Sequence, residues 1–501
     1  MAPRPPTTPR CGQCRRKKIK CDYVQPRCGP CARSQLECTP FVKGQLLFVE
    51  QRPRHVVAAA VEQQWALVPS ASSSFVQGPV SSARSLARSP FLAGKFTRAH
   101  SFGEFVMHYV PDEFRKPGET CITWVTTMQK HQEMTPSTDA GVHALGLIVK
   151  GKATMDPSLI AQSMKMYGVA VSKLRSELQN PKPHSLFKSL VSSMVLLQYE
   201  NLSASMQLLQ GHRQYAPGIA SVLKLIKPAH FQQGDAHSVF LHCRAVLIMA
   251  DVLTGASSFI TDDEWLTIPF KHNPKAPFHT ALDLFSQLTH VRHLARSCEA
   301  TAGTDDFPTE SWDAFSKEWR KLDGQFIQWL KDVTDKFGTL FQSVQDDKST
   351  NSSPSRSGSD TDESSTDASN TDEYPEIYVY RVLEDAAAML TYWTGRLMLL
   401  HHMRQVAQSP HTQLSAVASQ IVDAQKPAMI DVADDILRTF PFCLRSSSGV
   451  VGMQTIALPL RSVVDYFAFV DMPDRVARCQ WFAEQLAAKE VNLGRSEVRF
   501  A

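Results

Sequence analysis

Six cysteines fall at Cys11-x2-Cys14-x6-Cys21-x6-Cys28-x2-Cys31-x6-Cys38, and thiolates at such spacings are ligands for zinc. Adding 17 to the first three positions gives the last three, so the unit is an internal repeat. A Cys-x2-Cys step places both sulfurs on one side of a tight turn, within reach of one tetrahedral zinc at about 2.3 Å per bond. Two tetrahedral zincs need eight ligand positions, and six thiolates fill eight only if two of them bridge. The repeat makes Cys11 and Cys28, the first of each half, the natural bridging pair. Six thiolates and two Zn²⁺ leave a net charge of about −2, and the run Arg15-Arg16-Lys17-Lys18-Ile19-Lys20 offsets it and helps keep the sulfurs deprotonated. So short a segment, with almost no apolar side chains, has no core of its own. Metal binding must supply its folding free energy, and chelation should unfold it.

Other uses of clustered cysteines fit less well. The stretch from Met1 to Arg10 is rich in proline and arginine with no apolar run, so it does not read as a secretory signal. The chain is therefore expected on the reducing side of the cell, where a disulfide knot is disfavoured. A metallothionein-like store lacks the basic run and the long attached domain. A redox pair needs one Cys-x2-Cys in a βαβ setting, not two in a repeat.

The charge is as uneven as the cysteines. The whole chain of 501 residues has a formal net charge of +4. Residues 1–54 hold twelve Lys or Arg against three acids, and the remainder holds 41 against 46. A short basic head on a slightly acidic body points to a nucleic-acid-binding arm. Residues 1–10 form a leader, 11–38 the metal module and 39–99 a linker, with an alternating stretch at 41–49 expected to run extended. Residues 67–95, rich in Ser, Ala, Arg and Gly, show no helical period.

Residues 100–501 form the body, and from about Phe102 onward the apolar spacing is helical. Trp312, Phe315, Trp319, Leu322, Phe326, Trp329, Val333 and Phe337 recur in steps of three or four, the mark of one long amphipathic helix. Segments around 186–200, 237–254, 377–400 and 455–470 share the period, and Thr261-Asp262-Asp263-Glu264 reads as a capping box opening another helix. Little alternates with period two, so the body is read as all-α. Residues 346–374, with eight acids against Lys348 and Arg356 among Ser, Thr and Asn, cannot bury enough apolar surface to offset ordering entropy. They are expected to be a disordered insertion, serving activation, acid-directed phosphorylation or no role. No run approaches the roughly 18 apolar residues needed to span a bilayer, so no membrane partner is expected.

The cysteine spacing, the interposed Cys-Arg-Arg-Lys-Lys-Ile-Lys-Cys block and Pro26 before Cys28 resemble the fungal Zn(2)-Cys(6) binuclear cluster transcription factors. The resemblance implies two Zn²⁺ ions and a small metal-stabilised domain in which each half starts with a short helix. The end of the first helix enters the major groove of double-stranded DNA, where a lysine pair reads a CGG triplet. That role falls on Lys17 and Lys18, with Lys18 the stronger candidate, and lysine donors match the O6 and N7 acceptors of guanine. Arg15, Arg16, Lys20, Arg27 and Arg33 are assigned to phosphates, which fix register without reading bases. A purely non-specific basic patch, doubling as a nuclear localisation signal, is the bland alternative.

Less specifically, the body resembles the fungal-specific transcription factor domain. The stretches concerned are Leu196-Leu197-Gln198-Tyr199-Glu200, a Gly211-His212 turn, Phe240 to Leu253, Ser258-Phe259 leading into Trp265, Gly452 and Leu458-Pro459-Leu460. This implies a large all-α regulatory domain that senses a metabolite or contacts transcriptional coregulators. Together the resemblances imply a nuclear regulator of RNA polymerase II transcription, acting on a metabolic or secondary-metabolite gene cluster. The rival is a helical scaffold or small-molecule receptor merely tethered to chromatin by the cluster. Pro40, Gly44 and Pro53 interrupt residues 39–66, which show no sustained heptad, so a monomer or a dimer through the helical domain fits better than a coiled-coil dimer. No HExxH, G-x-S-x-G, phosphate loop or dinucleotide fingerprint is present, and no catalytic residue is expected. His401-His402 and His242-Cys243 are adjacent pairs facing different directions, read as satisfied core or surface groups rather than ligands.

Overall fold

The computed structural model describes Cys31, Arg33, Ser34, residues 98–112, Val125, and residues 135–492 apart from 180–182, 204–209, 301–307, 346–375 and 410. The leader, the alternating stretch at 41–49, the linker up to 97 and the acidic insertion lie outside the described residues. The chain divides into two units, Met1–Ser73 and Ser74–Ala501, at a point inside the segment 39–99.

Among the described residues the second unit opens with α1 (Arg98–Tyr109), α2 (Pro136–Thr154), α3 (Pro157–Gln179) and α4 (Pro183–Ser203). Then come α5 (Gln210–Ile226), α6 (Gly234–Thr254), the short α7 (Asp263–Thr267), α8 (Pro277–Ser286) and α9 (Leu288–Ala300). The long α10 (Thr309–Phe337) leads into β1 (Phe341–Gln345). After β2 (Glu376–Tyr380) follow α11 (Leu383–Ala407), α12 (Thr412–Cys443), α13 (Gly449–Phe469) and α14 (Pro473–Asn492).

Local signals explain the ends. Thr135 caps α2 by accepting from Thr138 N at 3.2 Å, and Pro136 follows at the first helical position, where its missing N–H costs nothing. α6 stops at Gly255, whose φ of 72° suits a residue without a Cβ. Gly255 N donates to Asp251 O at 2.7 Å, and Arg292 Nη1 from α9 satisfies Val252 O at 3.2 Å.

The core is built around α11. It packs on α8, α9, α10, α12 and α13, and its apolar residues point in all directions, so burial goes all round. α10 follows the sequence reading: Trp312, Phe315, Trp319, Leu322, Phe326, Trp329 and Val333 are buried. Fully burying such side chains is worth about 1.5–3 kcal/mol each. The two inner tryptophans also place their N–H groups. Trp319 Nε1 donates to Leu399 O at 2.9 Å, and Trp329 Nε1 to Thr280 Oγ1 at 2.8 Å. Gly395 of α11 faces Phe326, and a Cβ there would lie 2.5 Å from Phe326 Cζ.

Several expectations need correction. The body is mostly helical, in keeping with the all-α expectation, but it also holds one strand pair that the sequence reading lacked: β1 and β2 pair antiparallel with Phe341 opposite Tyr380 and Gln345 opposite Glu376. The expected helix at 377–400 therefore begins at Leu383, because Ile377 to Tyr380 alternate and bury Tyr378 and Tyr380. The expected capping box is not formed. Asp262 occupies the cap position without a side-chain cap bond, and Thr261 Oγ1 donates back to Ser258 O at 3.2 Å. Gly211 and His212 lie in the first turn of α5 rather than in a turn between helices. Phe337, the last of the α10 stripe, is 51% exposed. Finally, α6 is long and apolar enough by composition to cross a membrane, although most of its apolar window is buried in the body. Its fully buried Arg244 pairs with Asp283 and donates to His279 O at 3.3 Å, as a packed core helix would.

Candidate metal centre and nucleic-acid interface

Of the sequence-derived ligands, Cys31 is described: it is helical and 2% exposed. Arg33, two positions on, is helical and exposed, as is the turn residue Ser34. Two residues along a helix turn about 200°, so a buried Cys31 leaves Arg33 directed to solvent. Cys11, Cys14, Cys21, Cys28 and Cys38 lie outside the described residues, as do Arg15, Arg16, Lys17, Lys18, Lys20 and Arg27. The donor set suits zinc. Six cysteines supply six soft thiolates, and Cys31 is buried in a segment whose only large apolar residues are Ile19, Tyr23, Val24 and Leu36.

The helical body carries its own polar interior. Gln454 Nε2 on α13 donates to Gln198 Oε1 on α4 at 2.9 Å, and Gln198 Nε2 lies 3.5 Å from His242 Nε2 on α6. Burial drives His212 down to about 4, and burial with the neighbouring His212 drives His242 to about 3, so both imidazoles are neutral at pH 7. Asn201 is buried with neither amide atom hydrogen-bonded to a described residue, and Gly211 lies against it, since a Cβ there would sit 2.5 Å from Asn201 Oδ1. Beside this seam, Tyr167 donates to Glu200 and meets Tyr215 at 2.6 Å, and burial raises the Glu200 carboxyl. Thus the stretches around Gln198, Gly211, His242 and Gly452, separate in sequence, meet in one region of the fold.

The paired histidines have different surroundings. His402 is buried, with Nδ1 3.1 Å from Gln405 Oε1, and burial lowers it to about 4. His401 is half-buried and lies 3.2 Å from Asp465. Among the described residues no group of three or more His, Cys, Asp or Glu is arranged to hold a metal.

Comparison with known families places a fungal Zn(2)-Cys(6) binuclear cluster domain at residues 10–45. This domain binds two zinc ions and DNA, and its presence supports a DNA-binding transcription factor. The match spans all six cysteines and the basic run. Nothing matches among curated proteins, and nothing matches among solved structures.

Proposed function

We propose that the chain is a nuclear, sequence-specific regulator of RNA polymerase II transcription whose zinc cluster reads CGG-type half-sites. The observation that carries this reading is the cluster domain at residues 10–45, with six cysteines bracketing a run of five basic residues between Cys14 and Cys21. Cys11, Cys14, Cys21, Cys28, Cys31 and Cys38 hold the two zincs, with Cys11 and Cys28 bridging. Lys17 and Lys18 contact guanine in the major groove, and Arg15, Arg16, Lys20, Arg27 and Arg33 contact phosphates. The exposure of Arg33 beside a buried Cys31 supports that division of labour.

In this reading residues 11–38 are the DNA-binding domain, 39–99 a linker, and 100–501 a regulatory domain of the fungal-specific transcription factor type, interrupted by the acidic insertion 346–374. The regulatory domain answers to coregulators or a metabolite, and the targets belong to a metabolic or secondary-metabolite gene cluster. The protein acts as a monomer or dimerises through the helical body.

The test is fluorescence anisotropy of the zinc-loaded chain on a CGG duplex and on a scrambled one. Lys18→Ala should cost about 1–3 kcal/mol on the CGG site and little on the scrambled site. Equal losses on both duplexes would remove the base-reading role.

A further inference from the structure

A cleft of about 370 Å³ opens where residues leading into α8, the C-terminal end of α10 and the first turn of α11 meet. That volume lies at the lower end of the small-molecule range. Phe278, Phe337, Leu340 and Val382 supply apolar wall. The exposed ring of Phe337 continues the apolar stripe of α10 out of the core and into this cleft.

The charged lining residues are not equally satisfied. Lys275 donates to Asp283 at 2.6 Å, outside the cleft, and Arg381 reaches Asp385 at 3.5 Å. Lys336 sits over the Phe337 ring at 5.0 Å and is open to solvent. Glu384 is different. It is half-buried, and its carboxylate has no hydrogen bond or ion pair to another described residue. The N-terminus of α11 offers about half a positive charge against the two carboxylates of its first turn. Since Arg381 is engaged with Asp385, Glu384 is largely uncompensated among the described residues and lies beside an aromatic surface.

We propose that this cleft binds a small molecule carrying a primary ammonium on an apolar body, the ammonium against Glu384 and the body along Phe278, Phe337 and Leu340. An ammonium is the complement of a desolvated carboxylate, and it gains further from a nearby aromatic face. The cleft also abuts the root of the β1–β2 pair, because Leu340 directly precedes β1 and Arg381 directly follows β2. Residues 346–375 depart from the opposite end of that pair, at Gln345 and Glu376. Binding itself does not depend on the regulatory reading of the helical body; only its use as an effector site rests on that reading.

The experiment is isothermal titration of the zinc-loaded full chain at pH 7 with three probes sharing one phenyl body. Phenethylamine has the ammonium alone, L-phenylalanine has ammonium and carboxylate, and hydrocinnamate has the carboxylate alone. Phenethylamine or L-phenylalanine should bind one to one, and hydrocinnamate should not. The tighter of the two amines says whether simple amines or amino acids are the better occupants. Glu384→Gln, nearly isosteric, should weaken binding about tenfold or more. Phe337→Ala, at an exposed position, should weaken it without moving the melting temperature, and covers the case in which Glu384→Gln fails to fold. Failure of both amines to bind, hydrocinnamate binding as well as the amines, or unchanged affinity in a folded Glu384→Gln would each overturn the proposal. CGG-duplex affinity is read separately, so that loss of this site and loss of DNA recognition are told apart.

Discussion

Gln198 and Gln454 are 256 positions apart in sequence, yet Gln454 Nε2 donates to Gln198 Oε1 at 2.9 Å, tying α4 to α13. Gln198 is almost fully buried, so truncating its partner strands a polar group away from water. Gln454→Leu should therefore destabilise by about 1–3 kcal/mol, whereas the double change with Gln198→Leu should cost less than the sum of the two single changes. Urea unfolding of the four proteins measures this cycle. Additive losses would show that the bond contributes nothing beyond its parts.

What could be read from sequence depended on how local the signal was. The α10 stripe was legible because its tryptophans and phenylalanines recur every three or four residues, and a helix buries them together. The cysteine module was legible because metal geometry restricts ligand spacing more tightly than packing restricts apolar residues. The β1–β2 pair was not legible. Its strands are five residues each, thirty residues separate them, and β2 adjoins a helix whose period absorbed it. Glu384 was equally hidden. An acid in the first turn of a helix is ordinary in sequence, and only the fold shows it beside Phe337 with no hydrogen bond or ion pair to another described residue.

Two glycines on helices should respond to alanine in opposite directions. At Gly395 a methyl would press on Phe326 Cζ at 2.5 Å and Cε1 at 2.8 Å, with Phe285 at 3.3 Å. Overpacking of about 1–3 kcal/mol should outweigh the gain of about 1 kcal/mol in helix propensity. At Gly168 on α3 the space is open, so alanine should stabilise by roughly 0.5–1 kcal/mol. Thermal melts that moved in the same direction for Gly395→Ala and Gly168→Ala would contradict the close approach of α10 and α11.

His402 makes a pH prediction with a definite sign. Its ordinary value is 6.5, and burial lowers it to about 4 in the folded chain. Between these values the unfolded chain holds a proton that the folded chain does not. The stability from the neutral ring is thus fully present above pH 6.5 and is lost as pH falls toward 4. Burial raises Glu200, Asp251 and Asp435, which act in the opposite direction, so the comparison is between wild type and His402→Gln. The variant should lose up to about 1.4 kcal/mol per pH unit of slope across this window. Parallel stability curves for the two proteins would mean that His402 is not held neutral.

Metal removal should separate the two units of the chain. The cysteine segment has hardly any apolar residues, so its folding free energy comes from thiolate–zinc bonds. The body has an extensive apolar core, from α2 to α14, and no described metal-binding group. A strong chelator should therefore abolish DNA binding while leaving most far-ultraviolet helical signal and the thermal transition of the body intact. Added zinc should restore DNA binding at two ions per chain, counted by a colorimetric metal assay. With Cys31 as a ligand, as proposed, Cys31→Ala should reproduce the chelator's effect without it, because losing one thiolate leaves the proposed tetrahedral set incomplete. If the melting transition of the body collapsed along with DNA binding, the metal would be stabilising more than the N-terminal segment, and the division at Ser73 would not be one of folding energetics.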